Sequence, residues 1–205
     1  MAVSVLICLS TLSVVVTLGW LWKFNSAYED YLHSGLPFAE LQSYVRPAVT
    51  LSAVDGSVLI ATAVVTIVWL WRVRVNAEAI NPHTRHRWGR GATVWGWLPV
   101  VNFWVPRRVV LDVVGAGVPG VSASVVNWWW GTWVASLVLE RMTRVYTDPE
   151  SKFFDVGKAV LWTGIGAALM VVAAVFFLRI VRGITAWQSS ASTYRPGEEV
   201  LPPFL

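Results

Sequence analysis

Charged residues along this chain come in clusters, and apolar blocks of membrane length run between them. Ala2 to Trp22 is twenty-one residues without a charge, Gly56 to Trp71 is sixteen and Ala159 to Leu178 is twenty. These blocks are apolar throughout rather than at helical spacing, which marks a lipid-facing or fully buried helix. A bilayer core takes roughly 20 apolar residues per helix. The alternating segments of about 10 residues that mark a β-barrel are absent. The pattern predicts an all-α integral membrane protein.

The elements follow from the breaks. Helix 1 is expected over about 2–22 and a polar segment over 23–50. Helix 2 is expected over about 52–71, with a polar extension to Ala79. "NPHTRHR" ends it, because proline cannot continue a helix and restrains the residue before it. Residues 115–124, "GAGVPGVSAS", read as a glycine-rich turn. A tryptophan-rich helix is expected over about 122–139 and a last helix over about 157–181. Residues 1–187 form one membrane domain, and 188–205 a polar, proline-containing, flexible tail. The first block has no basic residues before it and no small-x-small site after it, so it reads as a retained helix rather than a signal peptide.

One stretch resists this scheme: "WGWLPVVNFWVPRR", Trp95 to Arg108. The fourteen residues from Ala92 to Val105 would cover about 21 Å as a helix, short of the roughly 30 Å core. Pro99 and Pro106 each free a carbonyl, which is tolerated only against protein, polar side chains or water. In helical register Trp95, Pro99, Asn102 and Pro106 share one side, and Trp97, Val101, Trp104 and Arg108 the other. The first side would then hold the weakened backbone and the Asn102 amide able to satisfy it. The expected architecture is four transmembrane helices plus one re-entrant or interfacial broken helix; the alternative is five transmembrane helices.

Composition and charge orient this scheme. The chain is 56% hydrophobic and 14% charged, with a net charge of +4. Residues 72–91 carry five arginines against Glu78, whereas 23–55 carry two basic residues against four acidic ones. Basic residues stay in the cytoplasm, so both termini are expected there, in a bacterial cytoplasmic membrane. Four spans leave ten basic residues inside and six outside; five spans give nine and seven. Most of the fourteen tryptophans fall near helix ends, where an aromatic belt is the plain reading. Asp55 is expected at the start of helix 2, where the helix dipole favours it.

Candidate chemistry is sparse. Arg72, Arg74 and Asn76 leave the end of helix 2, and Arg74 and Glu78 are spaced to pair. With Arg85, Arg87, Arg90, Arg107 and Arg108 they build a basic ring beside the broken stretch, suited to anionic headgroups and phosphates. The same charge also serves topology alone. Cys8 is the one cysteine, and His83 and His86 sit among arginines, so no metal site and no cofactor is expected. No nucleophile-elbow, phosphate-loop or zinc-protease motif is present. Gly164 and Ala168 give a small-xxx-small face for helix packing.

"WLWRVRVNAEAI", "RWGRGATVWGWLPVVNFWVPRRVV" and "VVNWWWGTWVAS" together resemble the bacterial membrane family catalogued as domain of unknown function 4328. The resemblance rests on Arg72, Arg74, Asn76, Trp88, Gly96, Trp97, Pro99, Asn102, Trp104 and Pro106, and covers about residues 55–181. Arg107 stands where the family more often has an aromatic residue. The resemblance implies membrane location and no activity. The candidate lipid- or partner-binding residues are Arg72, Arg74, Asn76, Trp88, Trp97, Pro99, Asn102, Trp104, Arg107 and Arg108. The expected function is a non-catalytic accessory or scaffolding subunit of a larger membrane assembly, with anionic lipids and a membrane-protein partner and no nucleic acid. The alternative is a protein, with or without enzymatic activity, that binds anionic lipid or isoprenoid phosphate. A small channel or transporter ranks last.

Overall fold

The first two helices run well beyond the length a bilayer demands. In the computed structural model, which describes residues 2–35, 37–98, 100–148 and 150–193, α1 spans Ala2–Ser34 and α2 spans Phe38–Ile80. Their 33 and 43 residues make rods of about 50 and 65 Å. The segment 23–50, expected as a polar connection, is therefore mostly helix. Gly35, at φ +72°, turns the chain between the rods in the left-handed conformation that glycine adopts without steric cost. Pro47 lies inside α2 and interrupts its hydrogen-bond ladder. One turn before it, Trp20 of α1 donates its indole N–H to the Tyr44 carbonyl at 3.2 Å.

A polar seam joins the two rods. Ser10 and Thr62 hydroxyls meet at 2.8 Å, and Asp55 accepts hydrogen bonds from Ser13 and from Thr17, the latter at 2.6 Å. Asp55 thus lies well inside α2, and the helix-start dipole expected to favour it is not there. Hydroxyl donors from α1 hold it instead.

After α2 the chain breaks into pieces: α3 (Ala92–Trp95), a 3-10 turn at Val101–Phe103 and α4 (Val105–Gly115). Then come α5 (Ala123–Thr147) and α6 (Val156–Thr193). Ser122 starts α5, its side chain accepting from the Val125 N–H. Asp155 starts α6, accepting from the Lys158 N–H at 2.9 Å. α5 and α6 form the most extensive helix pair. Gly166 lets α6 approach Leu139 of α5, while Gly164 faces Leu18 of α1 and Ala168 is exposed. Part of the expected small-residue face is thus spent within the chain. Residues 188–193, expected in the tail, belong to α6; 194–205 lie outside the described residues.

The fold is all-helical, with no strand among the described residues. Three helices are long and apolar enough to cross a membrane: Ala2–Ser34, Ala53–Ile80 and Val156–Ala191. α5, at 25 residues, is the fourth long helix. The chain is a membrane protein. The α1–α2 and α5–α6 connections share one end, where Tyr28 and Phe154 rings lie 6.3 Å apart. The other end, here called the basic end, gathers the finish of α2 and α6 with α3 and α4. Asn81 Nδ2 donates to the Ala116 carbonyl at 3.3 Å, so the broken segment returns to where it left. A fifth crossing by 92–114 would put those residues at opposite ends.

The main buried cluster sits at that basic end. α4 turns Val105, Val109, Val110 and Val113 inward, into one buried cluster with Leu70, Val73 and Ala77 of α2, Val126 and Trp129 of α5, and Ile180 and Ile184 of α6. The membrane-facing sides of the long rods stay open, with Leu12, Ile60, Val64 and Leu161 all more than half exposed.

Candidate functional site

Arg74 organises the basic end. Its side chain is only 3% exposed, enclosed between α2 and the loop 81–91. It pairs with Glu78 one helical turn on, as the spacing predicts. It also donates to the Trp88 carbonyl at 3.1 Å. The other Glu78 oxygen accepts from Arg90 Nε at 2.6 Å. One carboxylate thus bridges two guanidinium groups and ties the loop to the helix. Asp112 of α4 accepts the Arg87 backbone N–H at 2.9 Å, which fastens α4 to the same loop.

The tryptophans extend this scaffold inward. Trp88 meets Trp95 edge-on at 5.5 Å, and Trp97 meets Trp133 at 6.1 Å. Trp133 continues to Trp130, Trp130 to Trp129, and Trp129 stacks on Phe177 at 4.7 Å. Trp130 also donates its indole N–H to the Phe103 carbonyl at 2.9 Å. Trp129 and Trp130, expected in an aromatic belt, are core residues; Trp128, just before them, is 63% exposed. Every pair in this run has the centroid spacing that makes aromatic contacts favourable beyond their buried area.

The broken stretch does not keep one helical register, so its predicted two faces do not form. Gly96 packs directly on α4: a Cβ there would lie 2.4 Å from the Ala92 carbonyl oxygen and 2.6 Å from Val105 Cγ1. Val100 takes φ +71°, ψ −55°, which a β-branched residue rarely adopts. Trp97 and Trp104, predicted to share a side, separate into a packed and an exposed ring. Asn102 Oδ1, expected to serve the freed backbone, is enclosed without a hydrogen-bond partner among the described residues, as are Trp88 Nε1 and Trp97 Nε1. Val94, Leu98, Val100 and Phe103 are each more than half exposed, so the stretch presents an apolar outer side.

The ten candidate positions therefore part company. Arg74, Trp88 and Trp97 hold the interior, and Arg107 clasps Asn127 Oδ1 of α5 through Nε and Nη2 at 2.9 and 2.6 Å. Asn76 bonds Gln188 of α6 at 3.3 Å, and Gln188 donates to the Val73 carbonyl at 2.8 Å. Arg72, Trp104 and Arg108 are exposed. The Arg72 and Arg108 side chains have no polar partner among the described residues. Arg108 and Asp112, four residues apart on α4, form no ion pair. Pro99 lies outside the described residues. Sequence reasoning missed the bridging role of Glu78 and the clasp by Asn127, whose signal was a lone amide before three tryptophans.

His86 lies in the loop after α2, outside the spans, and its pKa is shifted. Both ring nitrogens are enclosed and lack a partner among the described residues. Burial first, and the Arg74 charge second, hold its pKa below the ordinary imidazole value, against the pull of Asp112 and Glu78. No group of three or more His, Cys, Asp or Glu among the described residues is placed to hold a metal ion.

The family described as domain of unknown function (DUF4328) matches residues 35–186, further in both directions than the sequence motifs reach. No curated protein and no solved structure matches the chain.

Proposed function

This chain belongs to the DUF4328 family, and we propose that it serves as a non-catalytic accessory or scaffolding subunit of a larger bacterial membrane assembly. One observation carries this reading. In the most apolar stretches of α1 and α2 only 11% of residues are buried, against 33% in α6. The α1–α2 hairpin turns its polar seam inward and leaves two long apolar faces open. The basic end is meanwhile held rigid by the Arg74–Glu78–Arg90 bridge and the α4 core. This is the form of a docking post: a braced foot and an uncovered shaft. Arginines cluster on the elements of the basic end, which supports a cytoplasmic position for that end and for both termini under the positive-inside rule. The test is purification in mild detergent with crosslinking and mass spectrometry. A discrete complex with a second membrane protein, with crosslinks on α1 or α2, is expected. A strictly monomeric protein with no protein crosslinks on the hairpin would defeat the reading.

A second reading has its own observation. Arg72 and Arg108 are exposed and have no partner among the described residues, and the neighbouring stretch offers Trp104, 48% exposed. A free guanidinium beside an interfacial indole suits the phosphate of an anionic lipid or isoprenoid phosphate. Native mass spectrometry of Arg72→Ala and Arg108→Ala decides it: unchanged lipid retention in both removes the motive.

A further inference from the structure

Away from Arg72 and Arg108, an open groove of about 650 Å³ runs between α6 and the turn that precedes α5. Val121 lines it from the turn, and Val175, Leu178, Arg179 and Arg182 line it from α6. Gly183 sets its shape: a Cβ there would lie 2.4 Å from Val121 Cγ2, so only glycine lets the turn press so closely against the helix.

The lining is graded along α6. Val175 and Leu178 close the charge-free block, and Arg179 is the first charge after it. Arg182 follows three residues later, on the same side of the helix. Both arginines are exposed and have no polar partner among the described residues. No carboxylate among the described residues lines the groove. Two free guanidinium groups one helical turn apart form a fork for phosphate oxygens. They stand where a span meets the headgroup layer, and the apolar wall continues into the membrane. A soluble phosphate would leave Val175 and Leu178 unused. An acidic protein segment would gain nothing from the membrane-ward wall. A phospholipid uses both halves.

We propose that this groove is a binding site for one anionic phospholipid, its phosphate held by Arg179 and Arg182 and an acyl chain laid along Leu178 and Val175. The site is separate from the assembly role proposed above and does not depend on it.

The test uses the full chain in nanodiscs of equal parts phosphatidylcholine and phosphatidylglycerol, released into the gas phase for native mass spectrometry. Four forms are compared: wild type, Arg179→Gln/Arg182→Gln, Arg141→Gln/Lys152→Gln at the opposite end, where both residues are exposed, and the chain without residues 194–205. Each basic residue near a membrane surface is worth about fivefold in attraction to anionic lipid, so the first double variant should lose about thirtyfold in phosphatidylglycerol retention. The second should retain it. Unchanged tryptophan fluorescence and thermal unfolding show that each variant is folded. Equal retention by wild type and Arg179→Gln/Arg182→Gln overturns the proposal. So does equal loss in both double variants, which would mean diffuse attraction to the protein's positive charge. Retention that appears only after residues 194–205 are deleted overturns it too, by making the groove a seat for the end of the chain itself. None of these outcomes bears on whether a partner protein co-purifies.

Discussion

Consider the substitution Glu78→Ala. Arg74 would stay 3% exposed with only the Trp88 carbonyl as a partner. Removing one member of a buried pair strands a charge in a poorly solvated place, at about 3–5 kcal/mol. The surviving carbonyl bond, and the 25% exposure of the Glu78 side chain, place this case at the low end, about 3 kcal/mol. For a chain of this size each kcal/mol moves the unfolding midpoint by about 2–4 °C, so the drop should be about 6–12 °C. The comparison is Arg90→Gln. Arg90 uses the same carboxylate but is 55% exposed, and exposed pairs are worth about 0–1 kcal/mol, a shift of at most about 4 °C. The double variant Arg74→Met/Glu78→Leu removes both buried charges and should recover most of the loss. Thermal unfolding in detergent, followed by tryptophan fluorescence, reads all three. Hydrogen exchange over residues 82–95 should rise in Glu78→Ala alone. If Glu78→Ala unfolds no earlier than Arg90→Gln, the buried bridge does not hold the loop and the account of the basic end is wrong.

Three further outcomes follow from named contacts. His86 has a folded-state pKa below its unfolded one, so the folded protein takes up a proton less readily. Its contribution is complete above about pH 6.5 and declines as the pH falls from there toward the lowered value. His86→Asn should flatten the unfolding midpoint over that window, and identical profiles would remove the burial argument. Gly96→Ala would stiffen the unfolded chain and in open space stabilise by about 0.4–1 kcal/mol. Here the close carbonyl and Val105 reverse the sign, to a loss of about 1–3 kcal/mol, and a midpoint at or above wild type would contradict the packing described. Trp130→Phe keeps the ring and deletes the indole donor to Phe103. A cysteine placed at 103 should then react faster with a membrane-impermeant maleimide, and an unchanged rate would mean that the bond does not pin the turn.

The class of the fold was legible because apolar blocks of span length have no other common use. The break after α2 was legible from Pro99, Pro106 and the shortfall in length. What the break becomes was not. Assigning faces to Trp95–Arg108 assumed a continuous register, and the chain abandons it between Gly96 and Val100, where backbone contact with α4 decides the path. The polar halves of α1 and α2 were missed because charged residues such as Glu29, Asp30 and Glu40 signal exposure whether or not the backbone is helical. Misplacing the start of α2 then misplaced Asp55. The tryptophans were the hardest. An indole suits a headgroup layer and a packed core equally, and only the partners of Trp129 and Trp130 tell the two apart. Arg74 and Glu78 could be paired from their spacing, but no local pattern shows that loop 81–91 closes over them.

The placement of α4 also sets a timetable for synthesis. Its inward valines share a buried cluster with Ile180 and Ile184, and the ribosome makes those residues some 70 positions after Val113. At about 5–20 residues per second, the interval is roughly 3–14 s. Throughout it the cluster around α4 has its α2 and α5 neighbours but an open face where α6 will close. The last helix is therefore the latch of the whole end. A nascent chain stopped before α6 emerges would display that face to every chaperone and protease at the membrane surface.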